Sequence, residues 1–284
     1  MSAIPVKCPI CKNSSILIRP YRDINIYRCK FCLFDFADKL VLHQEGSTDS
    51  TNTPVSVLDK YYANFDADSI VAFKSLELRF PLFEKALGRS ISNVLEVGCG
   101  PGTAYKFFKS RGVAWAGIEV DPSALAHAKR HNLPIIAANL SDLTDQYDLI
   151  YFHQVLEHIW EPKDFMAEVH RLLVKDGIIA IGVPNHYGFT ALIRRLLPGI
   201  FKGNFGMLQY PYHLRAYSKR ALQVLCENSG FQVVRLTSVR STQLLFGEWY
   251  SNTGASWKKV IFEIGALIGL GTLIYCIAKK ANIK

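Results

Sequence analysis

Residues 94–124 read VLEVGCGPGTAYKFFKSRGVAWAGIEVDPSA. An apolar run, Val94 to Val97, leads into the turn Gly98-Cys99-Gly100-Pro101-Gly102-Thr103. A stretch of helical pattern follows, and a second apolar run ends in the acid Glu119. Strand, glycine turn, helix, strand and acid is the order in which a parallel sheet holds a nucleotide-type ligand. The glycines let the ligand approach the backbone, and the carboxylate accepts hydrogen bonds from ribose hydroxyls. This turn departs from the dinucleotide fingerprint. The third small residue of G-x-G-x-x-G/A is due where Thr103 stands, and Pro101 removes an N–H where a phosphate oxygen would need one. The stretch suits a nucleoside with a close-packed, phosphate-free tail, a description that S-adenosylmethionine fits.

Outward from this stretch, strand patterns are expected at 93–97, 114–120, 135–137, 149–153, 177–183 and 231–237. Helical patterns at 101–111, 123–131, 163–174 and 219–229 lie between them. Strands this apolar, alternating with helices, imply a parallel sheet covered on both faces, with ligands at the carboxyl ends of its strands. Residues 57–87 have helical spacing and are expected as one or two helices across the mouth of that sheet, with Tyr61 and Tyr62 either closing over a ligand or packed in the core. The tail allows two readings. Val260 to Ala278 is nineteen residues with one charge, long enough to span a bilayer. Gly271 to Lys280, GTLIYCIAKK, also reads as a last antiparallel strand, which we expect, with peripheral or integral membrane attachment as the alternative.

Five segments in order, VLEVGCGPG, the acid in GIEVDPSA, ANLSDL, YDLIYFHQVLEHI and RLLVKDGIIAIGVPN, resemble the motifs of class I S-adenosylmethionine-dependent methyltransferases. The resemblance covers about residues 58–284 and implies an α/β fold: a doubly wound, mostly parallel seven-stranded sheet of Rossmann-like type. It further implies that Glu96 and Gly98, Cys99, Gly100 and Gly102 surround the methionine end of the cofactor. Glu119, with Val120 beside it, would meet the ribose, Asn139 and Leu140 the adenine edge, and His153 and Gln154 the floor beside the methyl group. The family often has Asp where Asn139 stands. The fourth strand lacks the Asn/Asp-Pro-Pro-Tyr turn of enzymes acting on exocyclic base amines, and no Pro-Cys nucleophile stands there. Nucleic acid is therefore the weaker candidate partner.

A hydroxyl acceptor benefits from a general base, and histidine is suited to that near neutral pH. His153, His158 and His213 are the candidates; the alternative for each is a structural, hydrogen-bonded histidine. From Phe189 to Arg220 there are six basic residues and no acidic one, interleaved with aromatics. An insertion at 184–218 is expected as a lid, whose charge suits a phosphorylated or lipid-linked acceptor or peripheral contact with an anionic bilayer, or else as a solvated cap.

Before this domain stands Cys8-Pro-Ile-Cys11 and, seventeen residues on, Cys29-Lys-Phe-Cys32. Two C-x-x-C knuckles at this spacing supply four thiolates for a tetrahedral structural zinc; two disulfides or unligated thiols are the alternatives. Tyr27, Phe31, Phe34 and Phe36 are expected to cover the knuckles. Residues 1–42 are thus read as a zinc-ribbon-like domain, 43–57, polar and rich in Ser and Thr, as a linker, and 58–284 as the methyltransferase domain. The N-terminus lacks the apolar region of a signal peptide, which suggests a cytoplasmic protein. The net charge of +9 favours acidic partners. The expected function is O-methylation of a small hydroxylated acceptor such as a saccharide or a nucleotide- or lipid-linked metabolite. The alternatives are an RNA-modifying enzyme that grips its substrate with the ribbon and lid, and a silent cofactor-binding module.

Overall fold

The computed structural model describes residues 6–21, 24–39, 65–136, 139–196, 215–239, 265 and 269–281. The expected linker, Tyr61, Tyr62, His213 and the central part of the expected lid lie outside these residues.

Seven strands form the main sheet: β4 (Asn93–Val97), β5 (Ala114–Ile118), β6 (Ile135–Ile136), β7 (Tyr147–His153), β8 (Leu173–Pro184), β10 (Phe231–Val239) and β11 (Leu273–Lys280). Their order is β10-β11-β8-β7-β4-β5-β6. The five strands β4 to β8 run parallel, and β11 pairs antiparallel with β8 on one side and β10 on the other. Leu273–Lys280 is therefore a strand, as expected, and among the described residues no helix is long and apolar enough to cross a membrane. Leu273 to Ala278, the last part of the nineteen-residue stretch long enough to span a bilayer, are apolar because both faces of β11 are covered: all six are buried.

Two helical layers do the covering. On one face lie α1 (Phe65–Leu87) and α2 (Tyr105–Ser110); Leu76, Phe80 and Phe83 of α1 share a cluster with Phe107, Phe108, Trp115 and Tyr275. On the other lie α4 (Pro162–Arg171) and α6 (Lys219–Asn228), which bring Met166, Val169, Leu222 and Leu225 onto Ile150, Ile179 and Cys276. The helix α3 (Pro122–Arg130) follows β5, and α5 (Phe189–Leu196) follows β8.

The N-terminal residues form a second sheet from β1 (Ser15–Tyr21), β2 (Ile24–Cys29) and β3 (Asp35–Ala37), completed by β9 (Arg215–Ala216). Phe34 and Phe36 are buried under the cysteine knuckles, as their apolarity demands. Phe31 instead stands half exposed with the Arg220 guanidinium 4.0 Å from its ring centre.

Candidate active site

At the carboxyl ends of β4, β5 and β7 opens a cavity of about 350 Å³. Its floor is the glycine turn. Gly98 has φ 66°, and a side chain there would run into Val155, so only glycine lets the turn pass beneath the segment after β7. The amides of Gly98 and Cys99 both donate to the Ile118 carbonyl, at 2.8 and 3.1 Å, tying the turn to β5. Glu119 fastens the other side, accepting from the amides of Gly100 (2.8 Å), Val120 (2.7 Å) and Asp121 (3.0 Å). Asp121 in turn caps α3 through the Ser123 and Ala124 amides, with Pro122 at the first helical position. The segment EVDP thus holds a carboxylate at the strand end and starts the next helix.

Glu96, on β4, is buried and accepts from the Trp115 indole at 2.9 Å. Burial pushes its carboxyl up to about 8 against that hydrogen bond, so it is protonated at neutral pH. Cys99 is likewise pushed well up, by burial and then by the two acids, and serves as an apolar wall.

The opposite side of the cavity is built at the end of β7. The His153 ring lies over Gly182, where any Cβ would collide with it, and both ring nitrogens are sealed from water without a hydrogen-bond partner among the described residues. Burial, with Arg79 nearby, pulls the imidazole down to about 3, so it is neutral across the physiological range. Gln154 adopts φ 55°, uncommon for a residue with a side chain, and its amide donates to the Gly182 carbonyl at 2.8 Å. A single 3-10 turn, Leu156–His158, follows; His158 is exposed at the cavity rim.

Glu157 points from that turn into the core. It is 1% exposed and neither oxygen has a partner among the described residues. Burial lifts its carboxyl from 4.5 to about 8. Between those pH values the folded chain keeps a proton that the unfolded chain has lost, so this carboxyl makes stability fall as pH rises towards 8. Glu157→Gln should therefore melt close to the wild type at pH 4.5 and at a higher temperature at pH 8. An equal shift at both pH values would rule out a buried protonated acid.

The structure brings Glu96, Gly98, Cys99, Gly100, Glu119, His153, Gln154 and His158 together on the cavity wall. Gly102 stands behind the turn at φ 82°, against Leu133. Val120 follows Glu119 and is 76% exposed. Asn139 is exposed on the next turn, its amide donating to Asp142, while Leu140 packs into the core and its carbonyl accepts from Arg171; neither lines the cavity.

Sequence reasoning missed Ser75, Arg79 and Tyr151. Arg79 donates to the Ser75 hydroxyl at 2.9 Å, stacks 4.4 Å from the centre of the Tyr275 ring, and makes no ion pair among the described residues. The signal was available: Leu76, Arg79, Phe80 and Phe83 stand at i, i+3, i+4 and i+7, which puts an arginine on the buried face of α1.

Away from the cavity, the Sγ atoms of Cys8, Cys11, Cys29 and Cys32 all lie within 4.8 Å of one another. Neighbouring sulfurs are 3.4 to 3.7 Å apart, too far for a disulfide and close to the edge of a tetrahedron with bonds of about 2.3 Å. The two knuckles match: Lys12 and Leu33, each following the second cysteine, have φ 59° and 58°, and each donates its amide to the first cysteine's carbonyl. The Phe31 and Cys32 amides also point at the Cys29 sulfur, at 3.4 Å. Such donors favour a thiolate.

A family model described as a methyltransferase domain matches residues 65–236. A probable S-adenosylmethionine-dependent methyltransferase of Mycolicibacterium smegmatis is 28% identical over 146 residues, 50% of this chain and 52% of that protein. The chain thus spans about half the length of this relative. The ubiquinone biosynthesis O-methyltransferase of Pseudomonas aeruginosa is 26% identical over 164 residues, 51% of this chain and 69% of that protein. Among solved structures, a SAM dependent methyltransferase from Archaeoglobus fulgidus superposes with a TM-score of 0.54 at 18% identity, covering 81% of this chain and 100% of the other. The magnesium protoporphyrin IX methyltransferase from Synechocystis superposes with a TM-score of 0.53 at 13% identity, covering 81% and 96%.

Proposed function

The chain belongs to the methyltransferase-domain family, and from that premise we propose that it moves the methyl group of S-adenosylmethionine to a hydroxyl of a small acceptor, a saccharide or a phosphorylated or lipid-linked metabolite. The observation that carries this reading is the composition of one cavity. A glycine turn fixed by Glu119 forms one side, and His153, Gln154 and His158 form the other. The residues fit the cofactor: the close approach at Gly98 leaves a backbone cradle, Glu119 is a carboxylate acceptor at the strand end, and the wall beneath is kept uncharged by the protonated Glu96 and Cys99. When bound, the cofactor supplies a sulfonium-activated methyl group.

The chain's own part is alignment and proton removal. Neutral His153 presents its ring to the cavity as an uncharged wall, both nitrogens being sealed from water. It is too weakly basic to hold a proton near pH 7. In this reading His158, exposed at the rim, accepts the hydroxyl proton and releases it to water. The relative named for O-methylation in Pseudomonas aeruginosa supports a hydroxyl as the acceptor.

The test is transfer of labelled methyl from the cofactor into fractions of a cell extract. Label is expected in small molecules as an ether stable to mild alkali, and His158→Ala should slow its appearance about 10²-fold or more while leaving S-adenosylhomocysteine affinity within a few-fold. Label in RNA, or in an alkali-labile ester, would overturn the proposed acceptor.

The four-cysteine cluster we assign to a structural zinc, on the thiolate spacing and the paired knuckle turns described above.

A further inference from the structure

Both knuckles are tied to α6, one at each end. The Ser218 hydroxyl accepts from the Ala221 amide as the N-terminal cap of α6 and donates to the Cys32 carbonyl at 2.6 Å. At the far end Asn228 donates to the Ile10 carbonyl at 3.2 Å. Between these, Cys8, Ile10, Cys32 and Phe34 share one core with Tyr217, Leu222 and Leu225, and the Phe34 and Tyr217 ring centres are 4.9 Å apart.

From this anchorage two side chains reach the turn that carries His158. Tyr217, fully buried, points its hydroxyl at the Leu156 carbonyl, 3.4 Å away. Arg215, 2% exposed, donates to the Trp160 carbonyl at 2.7 Å and to the Ala37 carbonyl at 3.3 Å, with its guanidinium 4.0 Å from the centre of a Trp160 ring. The Trp160 side chain itself packs on Ile24, Ile26 and Ala37 of the cysteine module. The segment from Leu156 to Trp160 is thus gripped from outside the main sheet. Its own internal bonds, His158 to Val155 and Ile159 to Leu156, are those of a single turn, which has little stability alone.

We propose that the four-cysteine module is the positioning element for the acceptor side of the cavity. Metal binding fixes β3 and the two knuckles, these fix β9 and the start of α6, and Arg215 and Tyr217 then hold the turn bearing His158. The cofactor side hangs on β4 and β5, through the Ile118 carbonyl and Glu119, hydrogen bonds that involve no residue of the module. The proposal rests on the zinc reading given above.

The test is amide hydrogen exchange on the full chain, before and after the metal is withdrawn by a chelator, with elemental analysis of both samples. Peptides spanning 155–161 should exchange about ten-fold faster or more without metal. Those spanning 94–104 should stay within about two-fold, and S-adenosylhomocysteine affinity by calorimetry within about three-fold. Arg215→Met, with metal still bound, should raise exchange over 155–161 alone, which separates positioning from loss of the module's fold. Unchanged exchange over 155–161 in the metal-free protein overturns the proposal. So does acceleration spread evenly over 94–104, since the module would then be a staple for the whole domain. A purified protein with no metal overturns the zinc reading itself and the positioning role with it.

Discussion

Ending the chain at Trp257 should yield an insoluble protein that does not bind cofactor. The truncation removes β11, which is hydrogen-bonded along its length to β8 and β10. Burial of Leu273, Ile274 and Ile277 is worth roughly 1.5–3 kcal/mol each. Together this approaches the whole stability of a typical domain, about 5–15 kcal/mol, before the lost ladder is counted. Two open strand edges would remain, β8 and β10, ready to pair with other chains. The loss reaches the cavity as well, since Tyr275 is the platform for Arg79 and stacks on Phe83 of α1, ring centres 6.4 Å apart. Expression of residues 1–257 with measurement of solubility and cofactor binding decides the matter: a soluble fragment of undiminished affinity would show that the tail is separable from the sheet.

Glu119→Ala should weaken S-adenosylhomocysteine binding by about 100-fold or more. Two ribose hydroxyls would lose a charged acceptor, at about 1.5–3 kcal/mol for each hydrogen bond to a charged group. The amides of Gly100, Val120 and Asp121 would also lose the oxygens that hold the turn in place. Glu119→Gln, which keeps one oxygen acceptor but no charge, should fall between. NAD should not bind to the wild type, because Pro101 has no amide to offer a phosphate. Calorimetry with both ligands checks this; preference for NAD, or indifference to either substitution, would sink the cofactor assignment.

The strands of the main sheet were legible because each is an apolar run bounded by turn residues, and observed ends fall within a few positions of those expected. The cysteine spacing and the glycine turn were legible for a similar reason: their chemistry is local. What stayed hidden is what depends on contacts across the chain. Arg215 and Ala216 make a strand of two residues without any periodic pattern, and only their partners Asp35 and Phe36, far away in sequence, define them. Leu140, expected at the adenine edge, lies partly buried against the core, a placement its motif alone does not give. Glu157 sits beside His158 in the sequence, but a 3-10 turn sends the two side chains opposite ways, one to the rim and one to the interior.

The borrowed strand β9 also bears on how the chain comes to be made. A ribosome delivers Cys8 through Ala37 long before it delivers Arg215, and until then the module has three of its four strands and an exposed Phe34 and Phe36. Closing it requires a contact between residues about 180 positions apart, slow by comparison with local pairing. Metal captured early by the four thiolates would let the two knuckles wait in shape for their docking partner, so a segment made before Arg215 would be completed only after it.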